Sequence, residues 1–390
     1  MTLSMKNNTY DKATYEKNPI LLWWNSIDNK SFIALLFLIL IGLILIATAS
    51  PVIAAKIGVP HFSFIRKQFY YTLIALPTIL FFSIIKENQV KKICFIGLVI
   101  TIVSLMLLPF VGDETKGAKR WLIILGFSLQ PSEFIKPFYT VIVAAIFAEG
   151  KIKDDFPSFA ICTILHLLIM GLLLMQPDLG MAVTICVVTG VQFFIAGLSL
   201  KLVLLLFVLF TSMVYLAYLF FPHVAKRIDH FLGNDLEIGY QVQKSLESYA
   251  HGGFLGTGPG EGSVKYALPD LHSDFIFSVA AEEFGIIFCI AILSLIAFIV
   301  IKGFINVSKM RNLYRMYAAI GIVMYIAFQS IFNIGVTLNI LPTKGMTLPF
   351  VSYGGSSLIA MAIAVGIYFN LTKYTKTSGL GNNVLHIKIR

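Results

Sequence analysis

Asp274 stands where a carboxylate is costly. In this sequence of 390 residues it closes a polar, glycine-rich segment that starts at Gly252, and an apolar run begins immediately after it at Phe275. A carboxylate at mid-bilayer costs about 2.5–3.5 kcal/mol and less near the surface. One at the lip of a span is therefore a candidate for chemistry. Lys265 and His272 lie just ahead of it, and Glu282 and Glu283 lie two turns beyond. At about 100° per residue, Glu282 falls roughly 80° around a continuous helix from Asp274, with Glu283 on the opposite face. Glu282 is expected to support Asp274, whereas Glu283 must find another partner.

Other constellations carry polar groups into apolar surroundings. Gly117-Ala118-Lys119-Arg120-Trp121 leads to Gln130-Pro131-Ser132-Glu133 and then Lys136. Arg120 can hold a pair of anionic oxygens in bidentate fashion, and Trp121 suits a membrane interface. Pro131, Ser132 and Glu133 read as a helix start. Glu133 and Lys136 are three apart, share a helix face and can neutralise each other; the plainer reading is a cap with a topogenic charge pair. In Gln176-Pro177-Asp178-Leu179-Gly180, Asp178 either caps the next helix or joins a site.

Arg227 and Gly239-Tyr240-Gln241 precede six glycines between positions 252 and 262. Glycines allow unusual dihedrals and close backbone approach to a ligand. No Gly-Lys-Ser/Thr follows and no strand precedes, so a phosphate cradle is a weaker reading than a mobile lid. Asn333-Ile334-Gly335, Leu341-Pro342-Thr343-Lys344-Gly345 and Pro349-Phe350-Val351-Ser352-Tyr353-Gly354-Gly355-Ser356-Ser357 complete the set. Their small residues permit close helix contacts, and Lys344 could serve an anionic headgroup.

These residues must be held by membrane-spanning elements. The chain is 57% hydrophobic and 13% charged, against about 25% charged in soluble domains. It reads as an all-α polytopic integral membrane protein. Segments of about 20 apolar residues span a bilayer, and ten qualify: 32–54, 68–86, 93–111, 132–149, 157–176, 179–198, 201–221, 275–301, 313–340 and 350–372. Pro177 divides the fifth from the sixth. With the N-terminus inside, 18 Lys and Arg fall on that side and 11 on the other, with Lys136 inside a span. The largest outside share, 4 of the 11, belongs to one long loop, which counts little, so both termini are expected to be cytoplasmic.

The expected organisation is a cytoplasmic tail over 1–31, ending in an aromatic anchor at Trp23 and Trp24, a membrane domain over 32–372 and a tail over 373–390. The long outside loop, 222–274, joins the seventh and eighth spans. The net charge of +10 is topogenic in this setting, and no nucleic-acid module accompanies it. Cys94, Cys162, Cys186 and Cys289 all fall in apolar runs, at spacings that fit neither a zinc site nor a redox pair; they read as packing residues.

The ordered set of motifs resembles the SEDS family (shape, elongation, division and sporulation; the RodA/FtsW family) over nearly the whole chain. The resemblance rests on Gly-Ala-Lys-Arg-Trp, Gln-Pro-Ser-Glu, Gln-Pro-Asp-Leu-Gly, Gly-Tyr-Gln, Leu-Pro-Asp-Leu-His-Ser-Asp-Phe-Ile-Phe with Ala-Glu-Glu, and Pro-Phe-Val-Ser-Tyr-Gly-Gly-Ser-Ser. Pro342-Thr343-Lys344-Gly345 and Gly-Pro-Gly-Glu-Gly at 258–262 look like the division branch, FtsW. Asp270-Leu271, Ser273 and Thr337-Leu338-Asn339 depart from the usual pattern without touching Asp274.

The resemblance implies a peptidoglycan glycosyltransferase with about ten spans, polymerising lipid II at the outer face of the cytoplasmic (inner) membrane, at the division septum. It implies a class B penicillin-binding protein transpeptidase, other division proteins and membrane lipids as partners, and no nucleic acid. The family's essential aspartate maps onto Asp274, which would act as a general base, its proton affinity raised by partial desolvation. Lys119, Arg120, Glu133, Lys136, Lys265, His272, Lys344 and Ser352 are expected to bind substrate, with Gln130, Ser132, Asp178 and Glu282 in support. Positive charge on the departing pyrophosphate would come from Arg120, Lys119, Lys265, Lys344 or a divalent cation, Mg or Mn. Two rivals stay open: a transporter that flips lipid II, and a non-catalytic division scaffold.

Overall fold

The computed structural model describes residues 19–115, 118–124, 127–220, 236–342 and 345–380. Most of the two tails, Gly117, Arg227, Thr343 and Lys344 lie outside the described residues.

Among the described residues ten long helices occupy the ten expected positions: α2 (Asn29–Ile57), α3 (Ser63–Ile84), α4 (Glu87–Val111), α5 (Pro131–Gly150), α6 (Ser158–Met175), α7 (Leu179–Ala196), α8 (Leu200–Phe220), α10 (Ile276–Ser308), α11 (Leu313–Thr337) and α12 (Gly355–Leu380). Two more are not spans: α1 (Pro19–Ser26) and α9 (Leu236–Gly252). Among the described residues eight helices are long and apolar enough to cross a membrane, namely α2, α4, α5, α6, α7, α10, α11 and α12. α3 carries Arg66, Lys67 and Gln68 in its first turns. The chain is a multi-pass membrane protein.

Helix ends follow local chemistry. Asp28 caps α2 by accepting from Ser31 N at 3.4 Å and Ser31 Oγ at 3.0 Å, and Asn312 caps α11 through Arg315 N at 3.1 Å. α12, α11 and α5 form the centre, with 89%, 78% and 72% of their apolar windows buried, against 22% for α6 and α10. The central three therefore hold what the protein needs to keep from lipid, and the outer ones face it.

One correction concerns the loop between α4 and α5. It is a small antiparallel meander, β1 (Asp113–Thr115), β2 (Ala118–Ile124) and β3 (Phe127–Leu129), in the order β1-β2-β3. The run Trp121-Leu122-Ile123-Ile124 is aromatic and β-branched, and such residues suit a pleated, half-buried surface. The tryptophans expected as an aromatic anchor make contacts within the protein. Trp23 Nε1 donates to Ser83 Oγ at 2.8 Å, and Trp23 and Trp24 set their rings edge-on to Phe32 at 5.7 and 6.0 Å. The pair docks on the bundle. Three cysteines are buried as expected, but Cys186 is exposed on the bundle surface.

Segment 345–354, between α11 and α12, is irregular yet buried. Met346, Leu348, Phe350, Val351 and Ser352 are all under 9% exposed. It comes so close to α2 that a Cβ on Gly42 would lie 2.7 Å from the carbonyl oxygens of Phe350 and Val351. Irregular backbone within a span bundle is tolerated only where protein satisfies its polar groups. Here Leu348 N donates to Ser352 Oγ at 2.7 Å, and Ser352 N donates to Leu348 O at 3.0 Å.

Candidate active site

Asp274 does not belong to α10. It closes a turn in which Ser273 N and Asp274 N both donate to Asp270 O, at 3.0 and 3.1 Å, and the helix starts at Ile276. Asp270 sits at φ +48°, in the left-handed region that aspartate enters more readily than most residues. Three successive carbonyls of the next residues are then fixed from outside. Tyr353 N donates to His272 O at 2.9 Å, Ser352 Oγ to Ser273 O at 2.6 Å, and Asn333 Nδ2 to Asp274 O at 2.9 Å. The Asp274 side chain is half-buried. Its Oδ2 lies against Gly345, where an added Cβ would be only 2.8 Å away. A carboxylate carried on so constrained a backbone keeps one position relative to anything bound beside it.

The helix arithmetic that joined Glu282 to Asp274 fails, because Asp274 precedes the helix. Glu282 is fully buried, and its two oxygens accept from Val264 N at 2.7 Å and Lys265 N at 2.8 Å, with His251 Nδ1 3.1 Å away. It builds the turn over Val264–Ala267. Lys265 is a second correction. Its ammonium is buried, donates to Gly260 O at 2.9 Å and forms an ion pair with Glu283. Lys265 is thus the partner that Glu283 needed, and it is engaged before any pyrophosphate arrives.

The glycine run is neither lid nor cradle. α10 breaks at Gly285, with φ +81° and ψ 174°. Chain 253–258 crosses the break and supplies what both helix halves lack. Thr257 N and Gly258 N donate to Glu282 O and Glu283 O at 2.9 and 3.0 Å, while Ile286 N donates to Gly253 O at 3.0 Å. A broken helix leaves orphan carbonyls above and orphan amides below, and this segment pairs both. Glycine is required by contact as well as by dihedral. A Cβ on Gly256, at φ +82°, would lie 2.3 Å from Glu283 O, and one on Gly285 would lie 2.3 Å from Phe254 O.

α9 is docked on the same unit. Ser245 Oγ lies 2.6 Å from Ser278 Oγ and donates to Thr337 O at 2.6 Å, and Tyr249 Oη meets Thr337 Oγ1 at 2.9 Å. Burial pushes the Tyr249 phenol well above the usual tyrosine range, so it stays a neutral hydrogen-bonding group.

The first part of α5 carries a second polar cluster. Glu133 and Lys136 pair as the spacing predicts, both buried, and Lys136 Nζ also reaches Gln329 Oε1 at 3.0 Å. Gln329 Nε2 continues to Thr347 O at 2.9 Å and Thr347 Oγ1 at 3.0 Å. This neutralised string links α5 through α11 to the segment beside Asp274, so Glu133 and Lys136 brace the site from within. Gln130, Ser132 and Asp178 meet: Asp178 Oδ2 accepts from Ser132 Oγ at 3.4 Å and Gln130 Nε2 at 3.5 Å, while its Oδ1 caps α7 at Met181 N.

Arg120 and Lys119 are more accessible. Arg120 Nε and Nη2 hold the carbonyls of Gln176 and Pro177 at 3.0 and 2.6 Å, and Lys119 Nζ reaches Pro109 O at 3.2 Å. Arg120 would have to surrender those bonds to grip an anion with the same two nitrogens. His272, Phe64 and Tyr353 form a triangle of rings, with centroids 4.9 Å (His272–Phe64), 5.0 Å (His272–Tyr353) and 5.3 Å (Phe64–Tyr353) apart. Ser352, expected to touch substrate, is 4% exposed and holds Ser273 instead. Among the described residues no group of three His, Cys, Asp or Glu could hold a metal ion. Asn333 enters the sequence reading only within Asn333-Ile334-Gly335 and without a role at the site; its signal there is a second amide one turn after Gln329 in an apolar helix.

A bundle of spans around a backbone-clamped carboxylate defines a multi-pass membrane protein with a preformed polar site at one end. The chain belongs to the FtsW/RodA/SpoVE family, described as cell cycle proteins, whose profile matches residues 29–377. It is 36% identical over 368 residues to "Probable peptidoglycan glycosyltransferase FtsW" of Caulobacter vibrioides, covering 94% of each chain. The Coxiella burnetii protein of the same name is 34% identical over 376 residues, covering 93% of this chain and all of the relative. In fold it resembles a chain of a peptidoglycan synthase complex, with TM-score 0.75, 24% identity and coverage of 90% and 98%. It also resembles the rod shape determining protein RodA of Thermus thermophilus, with TM-score 0.64, 22% identity and coverage of 89% and 97%.

Proposed function

We propose that this chain is a peptidoglycan glycosyltransferase of the division type, polymerising lipid II into glycan strands. The observation that carries the reading is Asp274, half-buried at the entrance to α10 with its backbone fixed at three consecutive carbonyls. The names of its relatives supply the reaction class. Asp274 is the general base. It takes the proton from an acceptor sugar hydroxyl as that oxygen bonds to the anomeric carbon of the donor, and the bond to the polyprenyl pyrophosphate breaks, the pyrophosphate leaving with the electron pair. General-base catalysis of this kind contributes about 10²–10⁴-fold. Lys119, exposed, and Arg120, half-buried on its two carbonyls, lie near the same end and supply positive charge for the leaving group; Lys344 adjoins Gly345 in sequence and is a third candidate.

In this reading the Asp274 end faces outward from the cytoplasmic membrane, residues 32–372 form the membrane domain, and the tails 1–31 and 373–390 are cytoplasmic. The partner is a class B penicillin-binding protein at the septum, which crosslinks the strands. The test is polymerisation of labelled lipid II by purified protein, with and without that partner. Wild type should build chains, and Asp274→Asn should build none while remaining monodisperse in detergent. Full activity of the variant would overturn the assignment of the base. Chain-free wild type that moves lipid II across vesicles would favour the transporter.

A further inference from the structure

We infer that Asn333 is a positioning residue for Asp274, fixing the distance between the segment that carries the base and the segment that lies against it. The inference rests on the reading of Asp274 as the base. Asn333 is 1% exposed on α11, and its Nδ2 donates at once to Asp274 O at 2.9 Å and Met346 O at 2.6 Å. Both acceptors are backbone carbonyls, so the orientation of the amide is settled by chemistry: only the NH2 end can serve them.

The two tied residues belong to separate parts of the chain that flank one carboxylate. Asp274 carries it, and Met346 follows Gly345, whose Cβ position lies 2.8 Å from Oδ2. One turn earlier on the same face, Gln329 Nε2 fixes Thr347 through its carbonyl and hydroxyl. The amides at 329 and 333 therefore hold consecutive residues of the flanking segment, and Asn333 alone of the two reaches across to Asp274. Its Oδ1 is buried with no hydrogen-bond partner among the described residues. A leucine, with the same branching at Cγ, would avoid that cost in an apolar helix, so packing does not explain the amide.

Removing the donors uncouples the two segments, leaving substrate binding in place while the base loses its register. Misplacement by about an ångström costs on the order of 100-fold in rate, and an interaction made only in the transition state lowers kcat without raising KM. The test compares Asn333→Leu and Asn333→Asp with wild type in lipid II polymerisation, and follows amide hydrogen exchange of the full-length protein in detergent. We expect kcat to fall by about 30-fold or more with KM changed less than about threefold. Peptides covering 270–276 and 345–348 should both exchange faster, with the rest of the bundle unchanged.

Asn333→Leu buries no charge and keeps the test open if Asn333→Asp does not fold. A kcat within about threefold of wild type, a loss in KM alone, or unaltered exchange in either segment would overturn the inference. If wild type makes no glycan, the functional reading fails on its own and the clasp is judged by exchange alone.

Discussion

Lys265 and Glu283 meet as a buried ion pair, their side chains 1% and 0% exposed. Removing one member leaves an unpaired buried charge, which costs about 3–5 kcal/mol. Lys265→Met or Glu283→Gln should therefore lower the thermal midpoint in detergent sharply, and Lys265→Met with Glu283→Leu should recover most of it. Single variants as stable as wild type would show that the pair holds nothing.

The splice across the α10 break gives a matched pair of substitutions. Gly253 and Gly256 both have positive φ, but a Cβ on Gly253 meets open space while one on Gly256 meets Glu283 O at 2.3 Å. Gly253→Ala should cost only the left-handed penalty of about 1–2 kcal/mol. Gly256→Ala should add about 1–3 kcal/mol for overpacking. Unfolding midpoints of the two variants check the difference, and equal costs would refute the geometry.

Gly345 tests the site without touching its chemistry. Gly345→Ala places a methyl 2.8 Å from Asp274 Oδ2, which forces the carboxylate or the segment to give. The polymerisation rate should fall on the order of 10–100-fold, with the unfolding midpoint little changed. Wild-type turnover would mean that Asp274 has freedom the structure does not show.

At Asp178, cap and charge can be separated. Asp178→Ala should cost about 1–2 kcal/mol as a lost helix cap, together with its links to Ser132 and Gln130. Asp178→Asn keeps a capping oxygen and should retain most of that stability and activity. An Asn variant as impaired as the Ala variant would make the negative charge, not the cap, the working feature.

What the sequence made legible was local or periodic. Spans follow from runs of apolar residues, and Glu133 with Lys136 follows from a spacing of three. Asp178 as a cap follows from residue type beside a turn. What it hid depends on where distant segments meet. Lys265 reads as a free cation until Glu283, eighteen positions on, is seen to bury it. Ser352 reads as a substrate contact until its hydroxyl is found on Ser273 O. The Glu282 angle failed because a helical period was applied across Phe275, where the helix has not begun. The short strands around Trp121 fall in the loop between the spans expected over 93–111 and 132–149, where a search for apolar runs of span length gives no reading.

The break at Gly285 bears on how the protein is made. The upper and lower parts of α10 are completed by backbone groups of residues 253–258, which leave the ribosome before α10 does. If α10 reached its place ahead of them, its broken turn would hold unpaired amides and carbonyls in apolar surroundings, each costing about 1–3 kcal/mol. Chain order removes that hazard, since the template for the break precedes the helix that needs it. A circular permutation opening the chain between Gly258 and Ile276 would reverse the sequence of events and should trap an insertion intermediate.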